Sequence, residues 1–152
     1  MYGYENTELE NYDFIMILDD ESGYLKMMDY DPFDIIAESG ALFGAYLCGQ
    51  RLYNGKPHQG HLDTRNGLYQ FTKNFIDSNK IIPKSESLIE IMKYPNPEEK
   101  FHFLNWADTY VINTSIFKTD NWKLWINAVN KSGGVYKYRW GDNEIYSLYA
   151  HI

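Results

Sequence analysis

Phe14-Ile15-Met16-Ile17-Leu18 is followed at once by Asp19-Asp20-Glu21. Five apolar residues stopped by three acids read as a short buried strand that ends at a polar loop. Ligands of open α/β sheets gather outside the carboxyl ends of strands. The acidic triplet is therefore the first candidate site. Carboxylates about 4 Å apart repel by roughly 4 kcal/mol at an effective dielectric of 20. A divalent cation removes that penalty, and oxygen ligands favour Mg2+ or Mn2+ shared with substrate phosphates. A solvated acidic turn is the plainer alternative for the same three residues.

Outward from this stretch, strands and helices alternate. Asp31-Pro32-Phe33-Asp34 is a helix start: Asp31 caps, Pro32 suits the first helical position and Asp34 lies in the first turn. Phe33, Ile36 and Ala37 share one face of that helix, Gly40 ends it, and Leu42 to Cys48 reads as a second buried strand. Residues 49–66 are rich in Gly, Asn, Pro and His and read as a long surface loop. Leu68, Phe71, Phe75 and Ile76 have helical spacing, and a weaker helix runs from Ser87 to Lys93 before Pro95 and Pro97. Tyr110 to Asn113 is a strand. Thr119 caps a helix with Trp122, Trp125, Ile126 and Val129 inward, and Ser132-Gly133-Gly134 stops it. Val135 to Tyr138 reads as a short strand. Asp142 caps a last helix with Ile145, Leu148, Tyr149 and Ile152 on one side. The pattern predicts an α/β domain with a mostly parallel or mixed sheet. Residues 1–11 form a polar N-terminal segment and residues 12–152 the domain.

Composition narrows the function. A net charge of −7 without clustered basic residues argues against nucleic acid as a partner. The single cysteine, Cys48, leaves no intrachain disulfide. Neither a signal peptide nor an apolar run long enough to span a bilayer is present, so the chain as given is expected to be soluble or anchored by something else. Aromatics reach 17%, with 14 Tyr, 8 Phe and 4 Trp, which suits sugar stacking or, more simply, an aromatic core.

Other candidates carry alternatives. His58-Gln59-Gly60-His61-Leu62-Asp63 has loose metal-like spacing, but Pro57 and Gly60 argue for a polar loop. His102 lies between Phe101 and Phe103, as a core histidine would. In Arg139-Trp140-Gly141-Asp142, Asp142 is either a helix cap or a carboxylate near the reacting sugar, with Trp140 as a stacking wall. Asp108 is a base, a nucleophile or a turn residue. No phosphate-binding glycine loop and no nucleophile elbow occurs.

Three ordered stretches resemble the fungal α-1,2-mannosyltransferases of glycosyltransferase family 15. They are Tyr12-Asp13-Phe14 through Asp19-Asp20-Glu21 to Asp29-Tyr30-Asp31-Pro32-Phe33; Phe43-Gly44-Ala45 through Leu52-Tyr53 to Phe71-Thr72-Lys73-Asn74-Phe75-Ile76; and Lys131-Ser132-Gly133-Gly134-Val135-Tyr136 with Arg139-Trp140-Gly141-Asp142. The resemblance implies the later part of a GT-A-like nucleotide-diphospho-sugar transferase fold, with the first nucleotide-binding half absent. It implies GDP-mannose as donor, Mn2+ (or Mg2+) as cofactor and a mannoside or other glycan as acceptor, with retention of configuration in protein glycosylation. In that register Asp19 and Glu21 stand at the metal-binding acids, Asp142 near the acceptor or reacting sugar, and Tyr53 and Trp140 on the acceptor side. Family members are Golgi type II membrane proteins.

The departures are specific. The family's catalytic Glu falls at Tyr110 or Ala107, so its role is displaced to Asp108 or lost. A C-terminal metal-binding His is expected beyond residue 152. The rival expectation is a non-catalytic remnant, or an accessory glycan-binding subunit of a split enzyme whose partner chain supplies the N-terminal half.

Overall fold

The computed structural model of the chain describes residues 8–18, 28–45, 52–53, 56–57, 63–95 and 109–152. Strands β1 (Phe14–Leu18), β2 (Phe43–Ala45) and β5 (Thr109–Asn113) make one sheet in the order β1-β5-β2. Strands β3 (Leu52–Tyr53) and β4 (Lys56–Pro57) form a separate antiparallel pair. The helices are α1 (Pro32–Ser39), α2 (Leu68–Asn79), α3 (Glu86–Ile91), α4 (Asp120–Ser132), α5 (Gly134–Lys137) and α6 (Asp142–His151).

Both pairings in the three-stranded sheet are antiparallel. A mostly parallel arrangement therefore does not hold for these strands. The last strand in the chain enters between the two earlier ones and runs against both, which a list of elements in order cannot reveal.

Register divides the sheet into two faces. Ile15 and Ile17 of β1, Tyr110 and Ile112 of β5, and Phe43 and Ala45 of β2 lie in matched rows. All six join the main core with α2, α4 and α6. Met16, Val111 and Gly44 form the opposite row, where α1 packs. A Cβ at Gly44 would collide with Ile36, so this close approach requires glycine. Strand β1 is half-buried and Leu18 exposed, not buried as expected, because β1 is the sheet's edge and lacks a neighbour on one side among the described residues.

The helix ends follow local chemistry. Asp31 Oδ1 accepts from the Phe33 N–H at 2.8 Å, Pro32 begins α1, and Gly40 closes it at φ 66°. Phe33 and Ile36 turn inward, whereas Ala37 is exposed, narrowing the expected face. Ser85 caps α3 and Thr119 caps α4 through their side-chain oxygens. Gly133, at φ 68°, ends α4.

Aromatic residues hold the layers together. Phe75 meets Trp125 edge-on at 5.0 Å, and Trp122 stacks on Tyr146 at 5.3 Å with 9° between planes. These contacts tie α2 to α4 and α4 to α6. Leu68, Ile112, Val129 and Leu148 are buried, each stabilising by about 1.5–3 kcal/mol.

Two local readings change. Residues 135–138 are not a strand: residues 134–137 form α5, with the Tyr138 N–H donating to the Gly134 carbonyl at 2.8 Å. The left-handed Gly133 redirects the chain straight into a new turn. Residues 49–66 are not wholly a surface loop, since they contain β3, β4 and a fully buried Arg65. Among the described residues, no helix is long and apolar enough to cross a membrane.

Candidate active site

The loop before α6 is built by its glycines. The Ser132 hydroxyl donates to the Val129 carbonyl at 2.6 Å and accepts from the Gly134 N–H at 3.0 Å, so the chain turns sharply out of α4. A Cβ at Gly134 would come within 2.3 Å of the Trp140 ring carbons. Gly134 and Trp140 are therefore one packing unit, although five residues lie between them. Trp140 is only 6% exposed, and its Nε1–H donates to the Asn66 carbonyl at 2.8 Å. Phe71 lies 5.1 Å from it, centroid to centroid.

A buried ion pair fixes the same loop from below. Arg65 Nε lies 3.1 Å from Glu144 Oε1, with Arg65 0% and Glu144 5% exposed. A Cβ at Gly141 would strike the Glu144 carboxylate, which accounts for glycine there. Two adjacent residues, Arg65 and Asn66, thus clamp the loop through Glu144 and Trp140. Gly141, not Asp142, is the N-cap of α6. Asp142 occupies the first helical position, is exposed, and its Oδ1 accepts from the Asn143 N–H at 2.9 Å. A carboxylate there is favoured by the positive end of the helix.

The direction of α6 decides what Asp142 faces. Tyr146 lies 5.9 Å from Tyr110, and Tyr149 lies 6.5 Å from Phe43, whose register partner is Ile112. Helix α6 therefore runs along β5 in the same sense. Asp142 precedes Tyr146 by one turn, about 6 Å of rise. It belongs to the end of the sheet where Leu18, Ala45 and Thr109 lie. Leu18 pairs with Thr109, so β1 finishes and β5 begins at this end.

Residues 2–152 match the family described as Glycolipid 2-alpha-mannosyltransferase. The chain belongs to that family. Among curated members, O-glycoside alpha-1,2-mannosyltransferase homolog 3 of Schizosaccharomyces pombe is 23% identical over 154 residues, covering 98% of this chain and 38% of that protein. Probable mannosyltransferase KTR3 of Saccharomyces cerevisiae is 23% identical over 149 residues, covering 95% of this chain and 33% of that protein. The chain thus spans well under half the length of these mannosyltransferases. Core-mannan synthase A (CmsA/Ktr4) from Aspergillus fumigatus, in its Mn/GDP form, superposes with a TM-score of 0.78 at 16% identity, over 99% of this chain and 40% of that one. Ktr4p of S. cerevisiae in complex with GDP gives 0.73 at 15% identity, over 99% and 38%. The fold is part of the GT-A-like mannosyltransferase fold.

Within this mannosyltransferase-family chain, the expected site residues divide into two groups. Asp142 and Trp140 are described. Asp19, Glu21 and Asp108 lie outside the described residues, as do His58, His61 and His102. Tyr53 is described only as backbone, in β3. Asp19 follows Leu18 in sequence and Asp108 precedes Thr109, the two residues that pair at the Asp142 end. Among the described residues, no cluster of three His, Cys, Asp or Glu side chains can hold a metal. The carboxylate donor set of Asp19 and Glu21 suits a hard cation such as Mn2+ or Mg2+.

Two clefts flank the sheet. One of about 230 Å3 lies between α1 and β2–β5, with Met16, Tyr30, Ile35 and Val111 in its apolar wall. The other, about 390 Å3, lies at the end away from Asp142, among Phe43, Ile116, Tyr149 and Ile152. Neither contains Asp142 or Trp140. The Arg65–Glu144 pair escapes sequence reading because Arg65 sits in a Gly- and Asn-rich stretch and its partner is 79 residues away.

Proposed function

We propose that this chain is the later, acceptor-facing part of a retaining α-1,2-mannosyltransferase that moves mannose from GDP-mannose to a mannoside. The observation that carries the reading is the common end of the sheet. Strand β1 finishes there, β5 begins there, and α6 directs Asp142 toward it. In sequence, Asp19 is the residue after Leu18 and Asp108 the residue before Thr109, the pair at that end.

Asp19 and Glu21 would hold Mn2+ or Mg2+. When bound, such a cation neutralises the charge that develops on the donor's diphosphate as the sugar leaves. Asp142 accepts hydrogen bonds from hydroxyls of the sugar at the reacting centre. The loop that carries it is anchored on either side of Asp142 by the bonds of Trp140 and Glu144. Asp108 supplies the second carboxylate. Tyr53 and the Trp140 loop lie on the acceptor side. GDP and Mn2+ bound to a solved relative of the same fold support the donor and the cation.

Calorimetric titration with Mn2+ and GDP-mannose tests the proposal. Binding is expected in the parent chain and lost in Asp19→Ala and Glu21→Ala. Asp142→Asn should keep donor binding and lose transfer to α-1,2-mannobiose. Unchanged metal affinity in both of the first two variants refutes the metal assignment. Glycan binding without turnover, in a folded chain, favours an accessory role.

A further inference from the structure

We propose that the outward face of Tyr138 is a sugar-stacking subsite, which holds one pyranose ring of a glycan beside Asp142. The proposal deepens the acceptor reading and rests on it for the choice of mannosides. Its geometry stands on observations of its own.

Tyr138 lies over Trp140 with centroids 6.1 Å apart and 27° between planes. Trp140 is buried, bonded to Asn66 and packed on Gly134. The tyrosine ring therefore lies beside a buried, hydrogen-bonded ring, yet the residue stays 45% exposed. A core tyrosine would bury that surface. Here aromatic area stays open to water beside a buried ring, and that contact reduces the side-chain freedom to be lost when a ligand arrives. The face of the ring is electron-rich and attracts the weakly positive C–H groups that line one side of a pyranose.

The backbone around Tyr138 bears the marks of a built conformation. Its N–H donates to the Gly134 carbonyl at 2.8 Å. The next residue, Arg139, is left-handed at φ 55° and is not glycine. Such a conformation costs on the order of 1–2 kcal/mol, and it is what turns the chain between two stacked rings. Arg139 and Asp142 are both exposed. They offer, respectively, hydrogen-bond donors and acceptors to sugar hydroxyls. Four residues span at most about 14 Å, so one short oligosaccharide reaches from Tyr138 to Asp142. Trp140, which the sequence suggests as the stacking wall, becomes the support, and its neighbour takes the contact.

The test uses the full chain, isotope-labelled, with α-1,2-mannobiose as the probe and GDP with Mn2+ as a separate titration. Saturable shifts of the Tyr138 ring and the Trp140 indole N–H are expected. Tyr138→Ala should weaken mannobiose binding by roughly five- to tenfold, while Tyr138→Phe keeps it. Because Tyr138 is half exposed, both variants should melt close to the parent, which separates lost contact from lost fold. Mannobiose binding that persists equally in Tyr138→Ala, or no saturable shift in the parent, overturns the subsite. The GDP titration keeps the two readings apart. Mannobiose binding that depends on Tyr138 supports the subsite even if GDP fails to bind. GDP binding with a silent Tyr138 removes the subsite and leaves the transferase reading in place.

Discussion

Replacing Glu144 by alanine removes the carboxylate that faces the Arg65 Nε and leaves the guanidinium inside the protein. Solvent screening there is slight, since Arg65 is 0% and Glu144 5% exposed. Breaking one side of such a buried pair costs about 3–5 kcal/mol. By contrast, Lys73 and Asp77 approach to 2.7 Å but are exposed, and such surface pairs contribute about 0.3–0.5 kcal/mol. Distance is therefore the poorer guide, and burial decides. With a urea slope of about 2 kcal/mol/M, the midpoint of Glu144→Ala should fall by roughly 1.5–2.5 M. Melting should fall by about 6–20 °C. Arg65→Met combined with Glu144→Leu removes both charges and keeps the volume, so it should return to within about 1 kcal/mol of the parent or exceed it. Urea unfolding followed by tryptophan fluorescence measures all three proteins. A midpoint change under about 0.5 M in Glu144→Ala, or a double variant as unstable as the single one, refutes the buried-pair account.

Gly134→Ala should destabilise by about 1–3 kcal/mol through overpacking against Trp140, and adding Trp140→Phe should recover part of the loss in a thermal melt. His151 is partly buried, with Nδ1 2.8 Å from Ser85 Oγ, and burial lowers its pKa from the ordinary 6.5. The unfolded chain therefore takes up a proton first. Stability contributed by neutral His151 is present above pH 6.5 and is lost as pH falls through the lowered folded value. Denaturant midpoints collected from about pH 7.5 to about pH 5 should decline in the parent and decline less in His151→Gln.

Helix boundaries were legible where short-range chemistry sets them. Asp31 and Thr119 cap as their sequence context implies, and Gly40 and Gly133 end helices in the left-handed conformation. The inward stripe of Trp122, Trp125 and Val129 follows from spacing alone. Val135 to Tyr138 misleads because four residues alternating in polarity do not separate a strand from one helical turn. The burial of Trp140 was not legible for another reason: it depends on Asn66 and Gly134, one distant in sequence and the other informative only once the ring's position is known. The aromatic richness resolves mainly into packing, through Phe71, Phe75, Trp122, Trp125 and Tyr146. Tyr138, the proposed stacking residue, is not distinguished by any local pattern from the exposed Tyr136.

The insertion of β5 between β1 and β2 governs how the molecule can assemble. Phe14 and Asn113 are register partners about 100 residues apart, the kind of distant pairing that slows folding. During synthesis, β1 and β2 emerge long before the strand that bonds to both, and they cannot pair through it until it leaves the ribosome. Until then the edges that β5 will occupy stay without it. Expression at low temperature, or with chaperones that cover those edges, should therefore raise the yield of native protein more than changes to its surface charge.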